Sequence, residues 1–365
     1  MKKLFLLLLP LLMLLGCGEQ RPIRVGFIGG LSERNADVGQ AGEQAVILAV
    51  EQINRAGGIK GRLVEMISRD DAQNADTARK VTEELAAAKV DAVIGPFTSG
   101  VAAATVPVLD KAGIVTISPT ITSMDFYGKD DHLIRINRTT RDNAQEYAAV
   151  IYGRGQRQLS IAYDLRNKSF TESWLNEFVK AYSAQGGVVV AKVPYTSAAD
   201  SDFSVVVGDM LKAKPDGLFF ISGAIDVARL AQQARRLAPS LPLGCSEWAG
   251  SEQLIKLGGK MVEGLLVVQN FNRDDQSPRY LAFRDAFQER FHRLPGYSSV
   301  LAYDAASVLF DALRQKQPSE NLKTAILRLG AYEGLQQPIK FDANGDSERK
   351  VFFTEIRDGS FKIVQ

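Results

Sequence analysis

The sequence predicts an α/β fold made of two similar lobes, each built on a parallel sheet flanked by helices. Three observations support this prediction. Strand-like apolar runs alternate with helical patterns from Ile23 onward, and the same order of elements recurs from Leu159. The chain also has 349 residues after its N-terminal segment, residues 1–16. Alternating strands and helices favour parallel sheets covered on both faces. A chain of this length accommodates two domains of about 150 residues each.

The first copy of the repeated unit occupies residues 23–94. Ile23 to Ile28 alternates as a strand does, and the next helix ends at Gly57-Gly58, where glycine adopts left-handed dihedral angles without a steric penalty. A second strand and a second helix follow, and Asp76 is the predicted N-cap of that helix. Asp91 to Ile94 forms the third strand, which completes a βαβαβ unit.

The second copy occupies residues 159–220. It repeats the order and lengths of the strands and helices of the first copy, and the glycines that end its helices. Gly186 follows Gly57 by 129 residues, and Asp216 follows Asp91 by 125 residues. Such regular spacing indicates an internal repeat, and hence two similar lobes. The remainder of the chain predicts a further strand, one helix with buried aromatic residues, a second helix from Ser298 to Arg314 and a tail of strands.

The first seventeen residues resemble the export signal of a bacterial lipoprotein. A basic start is followed by an apolar run, residues 4–15, that is too short for a membrane span of about 20 residues. Leu14-Leu15-Gly16-Cys17 resembles a lipobox. Residues 1–16 are therefore predicted to be a signal peptide, Cys17 the lipid attachment site and 17–22 a linker, so the protein is expected to be anchored to a membrane outside the cytoplasm. The alternative is a plain signal peptide with an incidental cysteine.

Charge and cysteine content argue against several classes of function. The expected mature chain carries 42 basic and 42 acidic side chains, because two lysines leave with the signal, so no net field attracts nucleic acid. With Cys17 attached to lipid, Cys245 is the only remaining thiol and no internal disulfide is expected. His132 and His292 lie far apart in sequence, without a cysteine at ligand spacing. Neither a metal site nor a histidine triad is expected, and no cofactor is predicted.

The stretch "IGPFTSG", residues 94–100, lies where a buried strand ends and a helix begins. Gly95 and Pro96 are predicted to turn the chain, and Thr98 or Ser99 to cap the helix that follows. The first N–H groups of a helix have no partner within it, so they form a seat for an anion such as a carboxylate. Ordinary helix capping by Ser99 is the alternative interpretation.

Six stretches of the chain resemble a known family. They are "GGIKGRLVEMISRDDAQNADTARKV", "VDAVIGPFTSG", "AGIVTISPTITS", "YDLRNKSF", "PDGLFFISGAIDVARLAQQAR" and "EGLLVVQNF". In this order they are similar to the leucine/isoleucine/valine-type binding proteins of ABC amino-acid importers, over nearly all of residues 23–345. The resemblance implies a type I periplasmic binding protein fold, in which two flavodoxin-like lobes joined by three crossovers close on a ligand. Lobe 1 is then 23–136 with 271–334, and lobe 2 is 137–270 with 335–365.

The resemblance also implies which residues of lobe 1 hold the ligand. In the family, the position of Ser99 and the segment matching 120–122 hold the α-carboxylate and part of the ammonium group. Ser99 and Thr122 are expected to contribute hydroxyls, and Thr120 to act mainly through its backbone. Some members have a disulfide in this lobe, but Gln73 and Thr98 occupy the matching positions here.

On the opposing lobe, the family provides an acidic residue for the ammonium group and an aromatic wall. Glu247 is the expected counter-charge. Phe170 is the expected aromatic residue, in a loop after a strand, and Lys168 takes its place if the loop has no added length. Ala224 replaces a tyrosine of leucine binders, and Trp248 partly refills that space. The expected ligand is therefore an amino acid or related carboxylate, not specifically leucine.

The function that the resemblance implies is capture of this ligand by hinge closure, followed by delivery to an ABC permease, with the binding protein acting as a monomer. A second interpretation keeps the binding but makes the protein a sensor for a signalling receptor. An enzyme is disfavoured, because Gly26, Gly29 and Gly30 do not follow the G-x-G-x-x-G order and no P-loop, G-x-S-x-G or H-E-x-x-H motif is present.

Overall fold

The computed structural model describes residues 21–32 and 36–364. The predicted signal peptide and Cys17 lie outside the described residues. Within them, the chain forms two large, mainly parallel sheets flanked by helices, together with one small hairpin. The predicted α/β class is therefore confirmed.

The first sheet is the centre of lobe 1, the name used here for this sheet and the helices around it. All its strand pairs are parallel. Its strands are β1 (Ile23–Gly29), β2 (Val64–Asp70), β3 (Ala92–Ile94), β4 (Thr116–Ser118) and β5 (Leu133–Arg135). They lie in the order β2-β1-β3-β4-β5. This is the flavodoxin-like order, in which ligands bind beyond the carboxyl ends of the strands.

The second sheet, the centre of lobe 2, repeats this order and adds an antiparallel edge. Its strands are β6 (Gln158–Asp164), β7 (Val188–Tyr195), β8 (Gly217–Ile221), β9 (Leu243–Cys245), β10 (Leu266–Gln269), β13 (Phe352–Arg357) and β14 (Ser360–Ile363). They lie in the order β14-β13-β10-β9-β8-β6-β7. Strands β6 to β10 thus have the same arrangement as β1 to β5, which confirms the predicted internal repeat.

The remaining two strands, β11 (Ala331–Glu333) and β12 (Pro338–Lys340), form a separate antiparallel hairpin. The predicted lobe boundary between residues 334 and 335 lies inside this hairpin. The helices that flank the sheets are α1 (Asp37–Arg55), α2 (Ala75–Ala87), α3 (Ser99–Lys111), α4 (Thr140–Gly153), α5 (Lys168–Ala184), α6 (Phe203–Lys212), α7 (Ala224–Leu237), α8 (Glu252–Gly258), α9 (Pro278–Phe291), α10 (Tyr297–Gln315) and α11 (Leu322–Leu329).

Two predicted helix caps differ from the structure. Asn74, not Asp76, caps α2, and its Oδ1 accepts from the N–H groups of Asp76 and Thr77, each at 3.0 Å. Asn and Asp cap helices about equally well, so the sequence alone did not separate them. Thr98 occupies the N-cap position of α3 with extended dihedral angles, but its side chain makes no capping hydrogen bond. Ser99 is the first residue of the helix, so neither hydroxyl is used as a cap.

The turn before α3 requires the glycine that the sequence places there. Gly95 has φ of +116°, and a Cβ atom at this position would lie 2.1 Å from the carbonyl oxygen of Ile28. No L side chain fits such a close approach between two backbones. The predicted turn at Gly95 is therefore confirmed.

An aromatic stack fixes α5 on the second sheet. Trp174 and Phe178 are four residues apart on one face of the helix, and both rings stack on Phe219 of β8, with centroid distances of 4.8 and 5.5 Å. Tyr147 of α4 meets Phe219 edge to face at 4.9 Å. All four side chains are fully buried. The stack holds the indole of Trp174 in one orientation, which matters for the site described below.

Two buried ion pairs join the segment between β12 and β13 to lobe 1. The Nε of Arg135, at the end of β5, donates to the Asp346 carboxylate at 2.6 Å. Nη1 of Arg349 donates to Asp304 of α10 at 2.8 Å, and both side chains of this pair are 1% exposed. The chain passes between the two sheets through this segment, so these pairs stabilise a connection between the lobes.

Candidate ligand-binding site

The carboxyl ends of the two sheets face each other, and the lobes contact one another directly. The N–H of Gly100, at the start of α3, donates to Oδ1 of Asn167 in lobe 2 at 2.8 Å. The N–H of Met124 donates to the Ser173 hydroxyl at 3.0 Å. Because these bonds span the cleft, the structure represents a closed arrangement of the two lobes. One N–H of the predicted anion seat is already paired across the cleft.

A narrow cavity lies between the lobes at this point in their closed arrangement. Five of the predicted ligand-binding residues contribute to its wall: Ser99, Thr120, Phe170, Glu247 and Trp248. The other wall residues are Phe97, Thr98, Asn137, Asn167 and Tyr297.

Hydroxyl groups and helix-terminal amides form the lobe 1 wall. Ser99 is buried, and its Oγ accepts a long hydrogen bond of 3.4 Å from the N–H of Ser123. Its hydroxyl proton has no acceptor among the described residues. Thr120 donates its hydroxyl proton to the carbonyl oxygen of Phe97 at 2.6 Å. Its hydroxyl oxygen can therefore only accept a hydrogen bond from a ligand, and its other contacts with a ligand are through the backbone. Thr122 is not part of the cavity wall, but its buried hydroxyl has no partner among the described residues.

A carboxylate forms part of the lobe 2 wall. Glu247 lies in a short turn directly after β9, and the residue is only 5% exposed. Its Oε1 accepts from Nδ2 of Asn143, and its Oε2 accepts from Nε1 of Trp174, both at 2.9 Å. Burial raises the pKa of the Glu247 carboxyl. Two neutral donors orient this carboxylate without neutralising it, so the site favours a ligand that brings a positive charge.

Two aromatic side chains form an edge-to-face pair beside this carboxylate. The rings of Phe170 and Trp248 have a centroid distance of 5.8 Å and an interplanar angle of 81°. Phe170 lies in the first turn of α5, not in a loop as predicted, because the helix begins at Lys168. The Lys168 side chain is exposed, and its Nζ lies 3.7 Å from Oε1 of Glu172. Phe170 lines the cavity, and Lys168 does not. Ala224 starts α7, is buried in the lobe 2 core and does not contribute to the wall.

Several residues of the site were not found from the sequence. Asn137 lies in the connection after β5, where no pattern marks it. Tyr297 is the first residue of α10, one position before the predicted start of that helix at Ser298. Asn143 and Trp174 lie on the buried faces of α4 and α5, and helical spacing alone would assign them to the core. Only the folded arrangement shows that both point at Glu247.

Neither a metal site nor a membrane span is found in the part of the chain that the structure describes. Within residues 21–32 and 36–364, no three His, Cys, Asp or Glu side chains come together in a way that would hold a metal ion. Across the same residues, every helix is too short or too polar to cross a lipid bilayer. Cys245 is a free, buried thiol of β9.

One carboxyl group near the cleft makes folding stability depend on pH. Asp71 is 1% exposed, its Oδ1 accepts from the N–H of Gln73 at 2.7 Å, and its Oδ2 has no partner among the described residues. Burial raises the pKa of Asp71 from 3.8 to about 6. The folded state therefore binds a proton more tightly than the unfolded state does, and stability falls as pH rises from about 4 through about 6.

We expect Asp71→Asn to remove this part of the pH dependence. At pH 4 the variant and the parent should be equally stable, whereas at pH 7 the variant should be more stable, by about 3 kcal/mol at most. Chemical denaturation at a series of pH values measures this difference. An Asp71→Asn variant that is less stable than the parent at pH 7 would contradict the assignment.

The fold and the cavity define a class of proteins, namely two-lobed α/β proteins that can enclose a small molecule between their lobes. Residues 22–360 match the family model described as periplasmic binding protein, and the chain belongs to this family. The predicted resemblance is confirmed at this level. The family consists of solute-binding proteins, and membership places the protein outside the cytoplasm.

Curated relatives show which binding proteins the chain is similar to. It is 24% identical over 326 residues to the leucine-, isoleucine-, valine-, threonine- and alanine-binding protein of Pseudomonas aeruginosa, a match that covers 89% of this chain and 87% of the relative. It is 25% identical over 328 residues to the Leu/Ile/Val-binding protein of Escherichia coli K12, covering 89% and 88% of the two chains.

Solved structures share the fold. The branched-chain amino acid transporter substrate binding protein LivJ of Streptococcus pneumoniae, in complex with isoleucine, superposes with a TM-score of 0.86 at 24% identity, covering 94% of this chain and 98% of that one. A solute-binding protein of R. palustris in complex with benzoate superposes with a TM-score of 0.83 at 19% identity, covering 94% and 95%. The same fold therefore encloses both an amino acid and a carboxylate without an amine.

Proposed function

We propose that this protein captures an α-amino acid between its lobes outside the cytoplasm and delivers it to an ABC permease. One observation carries the proposal: the wall of a single closed cavity combines the Ser99 hydroxyl and the start of α3 on one side with the Glu247 carboxylate on the other. The first side complements a carboxylate and the second an ammonium group. An α-amino acid has both groups on adjacent atoms.

Hinge closure is the mechanism that this arrangement supports. The ligand carboxylate binds first to lobe 1, where the hydroxyl proton of Ser99 has no acceptor among the described residues. Closure then brings Glu247, Phe170 and Trp248 against the ligand and forms bonds across the cleft such as that between Gly100 and Asn167. Ligand binding therefore favours the closed state by the free energy of the contacts made only in that state. Recognition of the closed form by a permease would couple binding to transport.

The proposal extends to how the protein is held at the membrane. The lipobox-like end of the predicted signal peptide makes Cys17 the attachment site for lipid, and a lipid anchor would keep the binding protein close to its permease. Lobe closure needs no second copy of the chain, which supports a monomeric binding unit.

A ligand screen tests the function directly. The mature chain is mixed with each of the twenty amino acids and with carboxylates that lack an amine, and thermal unfolding is followed. A ligand at 100 times its Kd stabilises the folded state by about 2.7 kcal/mol, so an authentic ligand should raise the melting temperature clearly. If no amino acid does so, and calorimetry also finds no binding, the proposed function is wrong.

We expect the double substitution Ser99→Ala with Thr122→Val to weaken amino-acid binding strongly. Hydrogen bonds to a charged group contribute about 1.5–3 kcal/mol each, so affinity should fall by at least about tenfold while the melting temperature of the unliganded protein changes little. Of the two single variants, Ser99→Ala should account for most of the loss, because Thr122 lies outside the cavity wall. Ser183→Ala, at an exposed position near the end of α5, is the control and should leave affinity unchanged. Unchanged affinity in the double variant would place the carboxylate elsewhere.

A further inference from the structure

A second cavity lies beside the first at the junction of the lobes. It shares Thr98, Asn167 and Trp248 with the first cavity. The two spaces therefore meet along common side chains. A group attached to a ligand in the first cavity can extend into the second.

Arg166 supplies a positive charge to the wall of this second cavity. The side chain is half-buried, in the short turn before α5. No carboxylate of the described residues forms an ion pair with its guanidinium, although its backbone N–H donates to Oδ1 of Asp164 at 3.0 Å. A guanidinium has five donors in a planar fork, and these are available to a ligand.

Asp164 supplies an acceptor to the same wall. It is fully buried at the end of β6, and its Oδ1 accepts from the backbone N–H groups of Arg166 and Ser197. Its Oδ2 has no hydrogen-bond partner among the described residues. A buried carboxylate oxygen without a donor is unfavourable, and a ligand N–H would satisfy it.

The combination of these groups selects the chemistry of the ligand. Arg166 offers hydrogen-bond donors and Asp164 offers an unpaired acceptor oxygen in the same wall. A carboxamide is neutral and presents a carbonyl acceptor together with N–H donors. We infer that the second cavity binds the carboxamide end of the ligand's side chain, so that the ligand is an amide-bearing α-amino acid such as glutamine or asparagine.

This inference rests on the proposed function, since the first cavity has to hold the α-carboxylate and α-ammonium groups. Other side chains fit the second cavity less well. An alkyl side chain leaves both polar groups without partners, and sites built for hydrogen bonding reject such analogues strongly. A side-chain carboxylate gains the guanidinium but has no N–H to donate to Oδ2 of Asp164.

Calorimetry on the mature chain with glutamine, asparagine, glutamate and leucine tests the inference. We expect the better of the two amides to bind at least about tenfold more tightly than leucine or glutamate. Arg166→Met should weaken amide binding about tenfold and change leucine binding less than about twofold. Arg79→Met, which alters an exposed arginine on the outer face of α2, is the matched control and should change neither.

The outcomes separate the subsite from the proposed function. Binding of an amino acid with no preference for the amide, tighter binding of glutamate than glutamine, or equal losses for all ligands in Arg166→Met would overturn the carboxamide subsite and leave amino-acid capture intact. Absence of binding for every amino acid would overturn both. The ranking of ligands on the unaltered protein decides the point even if Arg166→Met folds poorly.

Discussion

Glu247→Gln should reduce the affinity for α-amino acids by at least about 30-fold. Truncating one partner of a buried, hydrogen-bonded charge pair costs about 2–5 kcal/mol, and each 1.4 kcal/mol is about tenfold in affinity. The variant should remain folded, because Asn143 can turn its amide so that Oδ1, which has no partner among the described residues, accepts from the new glutamine. Calorimetry with an amino acid and with the matching carboxylate that lacks an amine measures the effect.

The comparison between ligands with and without an amine decides whether Glu247 binds the ammonium group. The carboxylate without an amine should bind the variant about as well as the parent, since it makes no ion pair with Glu247. Glu289→Gln, at an exposed position of α9, should change neither ligand. Equal losses for both ligands in Glu247→Gln would mean that the ammonium group lies elsewhere, for example toward Asp226.

The same substitution should raise the stability of the unliganded protein, although it lowers the affinity for amino acids. Burial raises the pKa of Glu247, so the charged form destabilises the unliganded fold, and this cost grows as pH rises above the unfolded value near 4.5. Glu247→Gln should therefore be more stable than the parent at pH 7 without ligand, and the difference should shrink toward pH 4. A Glu247→Gln variant that binds amino acids less tightly but is more stable than the parent would indicate that the charge of Glu247 serves ligand binding and not folding stability.

Arg349→Met should destabilise the protein by about 3–5 kcal/mol, the cost of leaving a buried charge without its partner. Asp304 would then be a buried carboxylate that keeps a hydrogen bond from the N–H of Leu335, at 2.8 Å, but has lost its cation. Burial already raises the pKa of Asp304, and loss of the cation raises it further. The defect should therefore be relieved as pH falls, because protonation removes the unpaired charge. Denaturant unfolding at pH 7 and at lower pH measures both effects.

Removing both charges should restore most of the lost stability. In Asp304→Asn with Arg349→Met, the asparagine keeps an acceptor for the N–H of Leu335. The parent pair is itself imperfect, because Nε and Nη2 of Arg349 are buried without partners among the described residues, so little is lost when both ions go. Arg314→Met, which breaks an exposed pair with Asp311, should cost less than about 1 kcal/mol. If Arg349→Met also costs that little, this buried pair does not stabilise the connection between the lobes.

The sequence by itself determined the repeated α/β unit and one part of the site. Apolar runs and the glycines that end helices are local signals. They repeat because each lobe packs the same elements in the same order. The turn at Gly95 and the position of Ser99 at the start of α3 follow from such signals, because the end of a strand and the start of a helix meet within a few residues.

Tertiary structure decided what surrounds Glu247 and what joins the lobes. Asn143, Trp174 and Glu247 are separated by up to 104 residues in the chain, and Asp304 and Arg349 by 45. A side chain on the buried face of a helix has the same sequence pattern whether it packs in the core or donates to a buried carboxylate such as that of Glu247. The distinction depends on which elements the fold brings together, and local periodicity carries no information about that.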